Sequence, residues 1–154
     1  GVDGLITVDL PPEEVEAMNR ELQRVDIDNI FLISPTTSDA RVATITAQAS
    51  GFIYYVALKG VTGAGHLDTA AVESHLSLIR EHTDLPIAVG FGIKDGDTAG
   101  TVAKCSDAVV VGSALVDCIA DAAASGLDYE NVIEVGAKLI SEIRSGVNLA
   151  TSQL

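Results

Sequence analysis

Short apolar runs alternate with amphipathic segments along the whole chain. The apolar runs are rich in Val, Ile and Leu, which is typical of strands in a parallel sheet. Each run is followed by a segment whose apolar residues recur every three or four positions, as on the buried face of a helix. The predicted strands are residues 2–8, 30–33, 52–57, 86–89 and 107–111.

Helix ends can be assigned from local chemistry. Pro11–Glu14 is predicted to open the first helix, because proline and acidic residues suit a first turn. The apolar stripe of that helix is predicted to end at Val25. The last helix is predicted to run from about Tyr129 to Ile143, with a frayed tail from Gly146.

Strands that alternate with helices predict an α/β fold with a parallel sheet and right-handed crossovers. An open doubly wound sheet and part of a (β/α)8 barrel both satisfy this pattern. A full barrel has eight strands in about 250 residues, so five strand–helix units are five-eighths of one. No low-complexity linker interrupts the units, and residues 1–154 are predicted to form a single domain.

The charge balance excludes some partners. The net charge is −13 with 9 Lys and Arg residues, so no basic face for nucleic acid or an anionic membrane is expected. Any bound phosphate would then be held mainly by backbone N–H groups. The acidity itself fits an ordinary solvated surface or a salt-adapted source.

Cys105 and Cys118 form no CxxC pair, and the three His residues show no metal-ligand spacing. We therefore expect no metal and two free thiols in a reducing cytoplasm. No apolar run approaches the roughly 20 residues of a membrane span, and no signal peptide is visible.

Glycines follow the last two predicted strands, at the end where barrels place their chemistry. Gly90 and Gly92 follow the fourth strand, and Gly112 and Ser113 follow the fifth. Glycine lets a backbone approach an anion closely, and serine adds a hydroxyl donor, so this arrangement favours a phosphate site. The alternative is that each glycine only makes a tight turn.

Two other strand ends carry candidate chemistry. The glycine-rich loop 60–65 suits a lid that closes over substrate, or it is a plain flexible loop. Asp9 follows the first strand, where it would serve either the active face or the next helix as a cap.

Five motifs occur together in a specific order and spacing, although each alone would be weak. The chain resembles the tryptophan synthase α subunit family over nearly its whole length, from about the fourth barrel strand to the last helix. The motifs are Val8-Asp9-Leu10-Pro11-Pro12-Glu13-Glu14, Gly51-Phe52-Ile53-Tyr54-Tyr55-Val56, Gly60-Val61-Thr62-Gly63, Gly90-Phe91-Gly92-Ile93 and Val109-Val110-Val111-Gly112-Ser113-Ala114. The resemblance implies a partial TIM barrel of five parallel strands with intervening helices.

The resemblance also implies an activity and a set of residue roles. The family is a lyase that cleaves indole-3-glycerol phosphate to indole and glyceraldehyde 3-phosphate in tryptophan biosynthesis. It passes indole to a β subunit that carries pyridoxal phosphate, so no cofactor is expected in this chain. By resemblance, Tyr54 is an active-site tyrosine, Thr62 is a lid threonine that engages a catalytic aspartate, and Asp9 lies at the β-subunit contact. The implied phosphate-binding residues are Gly63, Gly90, Gly92, Gly112 and Ser113.

Some family features differ or are absent here. Ala57 and Lys59 stand where many relatives have Ser and Thr, and Cys105–Ala108 replaces a Gly-Ala-Asp lead. By resemblance, the catalytic glutamate and aspartate lie on elements that precede Gly1. The expectation is a fragment that is inactive alone and self-associates through the open face of the barrel as a homo-oligomer.

Two other functions remain open at this stage. One is a non-catalytic barrel that binds a phosphate ester or a partner. The other is a different phosphate-binding barrel, such as an indole-glycerol-phosphate synthase or a phosphosugar isomerase, against which the Gly60–Gly63 motif argues.

Overall fold

The structure, a computed structural model, describes residues 1–57, 69–90 and 92–152. Its strands form one parallel sheet in chain order, which confirms the predicted α/β fold of five parallel strands with intervening helices. The strands are β1 (Gly4–Thr7), β2 (Asp28–Ile33), β3 (Ile53–Val56), β4 (Ile87–Gly90) and β5 (Ala108–Val110). The helices are α1 (Glu16–Gln23), α2 (Asp39–Thr46), α3 (Thr69–Arg80), α4 (Gly96–Ala103), α5 (Ser113–Ala124) and α6 (Tyr129–Thr151).

The hydrophobic core lies between one face of the sheet and the helices. Alternate strand residues point to that face, because successive side chains of a strand project to opposite sides. Tyr55 is 1% exposed there, and its burial raises the pKa of its phenol. The strand residues of this core are Phe31, Ile33, Ile53, Tyr55, Ile87 and Val89.

A buried polar network joins β1, β2 and α1. The Thr7 hydroxyl donates to Asn29 Oδ1, and Asn29 Nδ2 donates to Asn19 Oδ1 at 2.6 Å. Asn29 is only 2% exposed, so these bonds replace the water that its amide loses on folding. The network fixes the position of the first strand against the rest of the sheet.

The predicted start of the first helix was wrong. Pro11–Glu14 forms a turn in which the Glu14 N–H donates to the Pro11 carbonyl at 2.9 Å, and α1 begins at Glu16. Because the helix ends at Gln23, Val25 lies beyond it and is 63% exposed instead of facing the core.

The predicted fraying from Gly146 was also wrong, because α6 continues to Thr151. Gly146 packs directly on the backbone of Gly96, the first residue of α4, and an added Cβ would overlap the Gly96 carbonyl. An added Cβ on Gly100 would lie 2.8 Å from the Gly146 carbonyl oxygen. Tertiary packing therefore holds the end of α6. Neither α6 nor any other helix within residues 1–57, 69–90 and 92–152 is long and apolar enough to cross a membrane.

Candidate functional site

The carboxyl ends of β3, β4 and β5 lie side by side. Val56 pairs with Gly90, and Gly90 pairs with Val110 on its other side. Gly112 and Ser113 follow β5 by a few residues. The structure therefore places Tyr54, Gly90, Gly112 and Ser113 at one edge of the sheet, as a parallel strand order requires.

Tyr54 lies across Gly90 on the face of the sheet opposite the core. A Cβ added to Gly90 would lie 2.6 Å from Tyr54 Cζ and would overlap the phenol oxygen. The sequence offered anion approach or a tight turn as reasons for this glycine, but Gly90 is the last residue of β4. The contact gives a third reason, because the missing side chain makes room for the tyrosine ring.

Gly92 and Gly112 differ from Gly90 because nothing lies within 4 Å of a Cβ added to either. Gly92 has a φ of +58°, in the left-handed region that glycine adopts without strain. Both glycines are exposed, so a ligand can approach their backbones directly.

The first turn of α5 has N–H groups that are free to meet an anion. Gly112 is the N-cap residue, and no side chain in the described part of the chain caps the helix. Its carbonyl accepts from the N–H groups of Leu115 and Val116, whereas the N–H groups that precede them lack intrahelical acceptors. The positive end of the helix dipole is therefore exposed at Ser113.

The first turn of the neighbouring helix α4 is already capped by the carboxylate of Asp95. The Thr98 N–H donates to Asp95 Oδ1 at 2.9 Å, in a capping box with the Thr98 side chain. Hydrogen bonds from the Thr98 backbone and side chain hold the pKa of Asp95 below its usual value, with a smaller contribution from Lys94. A bound phosphate would thus meet open N–H groups at α5, while a carboxylate occupies α4.

Hydroxyl groups after β2 were not assigned a role from the sequence. Ser34 Oγ lies 2.9 Å from Thr36 Oγ1, and the Thr37 hydroxyl accepts from the Ser34 N–H at 3.1 Å. The run Ser34-Pro35-Thr36-Thr37 is the signal that predicts such a turn. These hydrogen bonds lie within the turn. The hydroxyl groups therefore set the shape of the turn at the carboxyl end of β2, beside β3.

Asp9 lies at the same edge but apart from the other residues. It is exposed and follows β1, which β2 separates from the β3 strand of Tyr54. Two strand spacings amount to about 10 Å. Asp9 has a φ of 60°, and the N-cap position of α1 belongs to Val15, so the helix-cap interpretation of Asp9 was wrong. Thr62 and Gly63 lie outside the described residues.

Two cavities lie at the opposite end of the sheet. Their volumes are about 290 and 440 Å³, and Arg80 and Asp107 line both. Asp107 Oδ2 accepts from Arg80 Nη2 at 2.9 Å and from the Ile87 N–H at 2.8 Å. These bonds satisfy both charged groups, so we assign this end a structural role. Among residues 1–57, 69–90 and 92–152, no cluster of His, Cys, Asp and Glu could hold a metal ion.

Comparison with known proteins gives one consistent result. The family model described as "Tryptophan synthase alpha chain" matches residues 1–145. The tryptophan synthase alpha chain of Thioalkalivibrio sulfidiphilus is 52% identical over 143 residues, which cover 93% of this chain and 51% of that protein. That of Methylococcus capsulatus is 57% identical over 122 residues, or 79% of this chain and 46% of that protein.

Solved structures agree with the sequence relatives. Tryptophan synthase subunit alpha from Legionella pneumophila superimposes with a TM-score of 0.82 at 35% identity, covering 96% of this chain and 53% of that one. A chain of tryptophan synthase from M. tuberculosis gives a TM-score of 0.75 at 28% identity. The chain spans about half the length of the curated relatives it matches.

Proposed function

The chain belongs to the tryptophan synthase alpha chain family, and on that premise we propose that it binds the phosphate group of indole-3-glycerol phosphate. The family is a lyase family of tryptophan biosynthesis. The observation that carries the proposal is the uncapped first turn of α5, together with Gly92 and Gly112, whose surroundings are open. Gly90, Gly92, Gly112 and Ser113 form the proposed phosphate site, to which family resemblance adds Gly63.

Tyr54 supports the same proposal from the neighbouring strand. Its ring covers Gly90, so it forms one wall at the edge where the phosphate would bind. A substrate held by its phosphate and bounded by an aromatic ring is oriented for reaction, which contributes to catalysis without proton transfer. Thr62 is proposed, from resemblance alone, to close over that substrate.

Phosphate binding can be tested by ³¹P NMR titration of the full chain with glycerol 3-phosphate. Ser113→Ala should weaken binding about tenfold, because one hydrogen bond to a charged group is lost. Ser38→Ala is the matched control, since Ser38 is an exposed serine at the start of another helix without a side-chain cap, as the N-cap residue of α2. If both variants bind as tightly as the parent chain, the assignment of Ser113 is wrong.

We propose further that residues 1–154 alone do not cleave the substrate to indole and glyceraldehyde 3-phosphate. The retro-aldol step needs an acid that protonates indole C3 and a base for the glycerol hydroxyl. Asp9 lies two residues after the end of β1, and β2 separates that strand from the β3 strand of Tyr54. Indole release should therefore be undetectable until the amino-terminal segment of a relative is added.

A second candidate function is phosphate-ester binding without catalysis. The donors at the α5 end are backbone N–H groups and one hydroxyl, which bind and orient but transfer no proton. Binding that persists without indole release, even after the amino-terminal segment is supplied, would favour this second candidate.

The family also suggests partners. Family members form complexes with a β subunit; the alpha chain needs no cofactor, and pyridoxal phosphate belongs to the β subunit. We propose that this chain contacts such a subunit through Asp9, that it also associates with copies of itself, and that it works in the cytoplasm. The free thiols of Cys105 and Cys118 fit that reducing compartment.

Asp9 can be tested against a closely matched residue. Asp26 is likewise exposed and has a φ of 58°, but it precedes β2 at the other end of the sheet. Asp9→Asn should weaken binding to the β subunit of a relative several-fold, because a surface charge is removed while the backbone preference is kept. Asp26→Asn should leave affinity unchanged in the same calorimetric titration, and equal effects would sink the Asp9 contact.

A further inference from the structure

The short segment that carries Asp9 is held at its two ends. Val8 is 62% exposed, and Asp9 is also exposed. Neither residue makes a hydrogen bond to another residue within the part of the chain that the structure describes. Thr7, which precedes them, is only 9% exposed, and Leu10, which follows them, packs against the hydrophobic core. The direction of the Asp9 carboxylate therefore depends on how firmly Thr7 and Leu10 are anchored.

The backbone of Asp9 is in a conformation that its neighbours must hold. Its φ is 60°, in the left-handed region that aspartate adopts at some cost. Asp26 has a similar φ of 58°, but the Ile27 N–H closes a local turn there by donating to the Leu22 carbonyl at 3.1 Å. No such hydrogen bond spans Asp9 among the described residues. A sparsely populated conformation persists where the surrounding structure fixes it, so the two anchored ends fix the conformation of Asp9.

The anchor at Thr7 is a chain of polar contacts. Thr7 is the last residue of β1, and its hydroxyl donates to Asn29 Oδ1. Asn29 Nδ2 donates to Asn19 Oδ1 at 2.6 Å, and Asn19 Nδ2 donates to the Gln48 carbonyl at 2.9 Å. The Asn29 N–H donates to Ser50 Oγ at 2.9 Å. These bonds join the end of β1 to α1 and to the segment after α2, so the position of Thr7 depends on all three elements.

From the burial of Thr7, the polar contacts of Asn29 and the backbone conformation of Asp9, we propose that Thr7 and Asn29 are positioning residues for the contact between Asp9 and the β subunit. The inference rests on the proposed function, which assigns that contact to Asp9. Thr7 and Asn29 are 9% and 2% exposed, so they act without touching the partner. Two buried side chains thereby set the affinity of an exposed one.

Calorimetric titration of the full chain with the β subunit of a relative tests the inference. Thr7→Val should weaken binding several-fold, because Asn29 Oδ1 loses its donor and the anchor before Asp9 is released. Thr7→Ser keeps the hydroxyl and should retain the affinity of the parent chain. A Thr7→Val variant that is folded and binds as tightly as the parent would overturn the inference.

Thr46→Val is the matched control for a lost buried hydroxyl. Thr46 is 6% exposed, and its hydroxyl donates to the Val42 carbonyl at 3.0 Å, within α2. Thr46→Val should lower the melting temperature about as much as Thr7→Val, but it should leave the affinity for the β subunit unchanged. Equal losses of affinity would attribute the effect of Thr7→Val to stability alone and contradict the inference.

A double variant shows whether Thr7 acts through Asp9. In the Asp9→Asn background, Thr7→Val should cause no further loss of affinity, because the contact that it positions is already removed. Additive losses would mean that Thr7 acts elsewhere. If Thr7→Val does not fold, Asn19→Ala gives a second test, because it removes the partner of Asn29 Nδ2 from a half-buried position on α1. It should also weaken binding, and an unchanged affinity would then refute the inference.

The ¹⁵N relaxation of the Asp9 amide separates this inference from the proposed function. Thr7→Val should lower its order parameter from about 0.85, typical of rigid backbone, to below about 0.6. If Asp9→Asn leaves the affinity unchanged while Thr7→Val lowers the order parameter, the contact is refuted and the positioning stands. If Asp9→Asn weakens binding while Thr7→Val changes neither affinity nor order parameter, the positioning is refuted and the contact stands.

Discussion

At the scale of single residues, glycines with similar sequence contexts have different physical roles. Gly90 is required because a neighbouring tyrosine occupies the space of its side chain. Gly92 is required because its backbone is left-handed, and nothing lies within 4 Å of a Cβ added to it. The GFGI motif thus contains one glycine set by tertiary contact and one set by local conformation.

This difference predicts two kinds of response to alanine. Gly90→Ala should destabilise the chain by about 1–3 kcal/mol, because its Cβ would collide with Tyr54. Adding Tyr54→Ala should recover most of that loss, which gives a coupling energy above about 1 kcal/mol. Urea denaturation of the single and double variants measures it.

Gly92→Ala is the control for this cycle. It should cost about 1 kcal/mol through its positive φ, whether or not Tyr54 is present. Additive effects of Gly90→Ala and Tyr54→Ala would show that the ring does not hold the position described above.

At the scale of elements, the contact between α4 and α6 determines how far α6 continues along the chain. Gly96, Gly100 and Gly146 let the two backbones approach more closely than any side chain would permit. Glycine disfavours an isolated helix by about 1 kcal/mol relative to alanine. The packing of α6 against α4 offsets that preference and carries the helix through Gly146.

Gly146→Ala should therefore destabilise the chain by about 2 kcal/mol or more, despite the better helix propensity of alanine. Gly136→Ala, in the same helix, is the control, because its nearest contacts are flexible side chains starting at 3.4 Å. It should be neutral or slightly stabilising. Thermal melts that rank the two variants in the opposite order would argue against the close packing.

At the scale of the whole molecule, the net charge of −13 acts against the compact state. Like charges repel at all distances within the screening length, which shrinks from about 30 Å at 10 mM salt to about 8 Å at 150 mM. The described ion pairs are exposed and offset little of this repulsion, as for Arg20 with Glu16.

Raising sodium chloride from 10 to 150 mM should therefore raise the melting temperature, by about 2–4 °C for a gain near 1 kcal/mol. Sodium fluoride at equal ionic strength is the control, because screening depends on ionic strength and not on the identity of the anion. A melting temperature that stays flat or falls would mean that self-repulsion is unimportant here.

Much of the fold was predictable from the sequence because strands and helices reflect local periodicity. Alternating apolar runs and amphipathic segments predicted the positions along the chain of the five strands that the described residues contain. The start of α1 and the end of α6 were wrong because both depend on more than local preference. That residues 1–154 form a single domain stays a prediction.

The sequence by itself determined the α/β class, the family and the residue types at the carboxyl ends of the strands, because these follow from local pattern and motif order. Only the tertiary structure decided which of those residues meet. It brought Tyr54 onto Gly90, left the first turn of α5 uncapped and set Asp9 apart from both. Such relations join residues distant in the chain, and they follow from strand order and helix packing, which no single segment encodes.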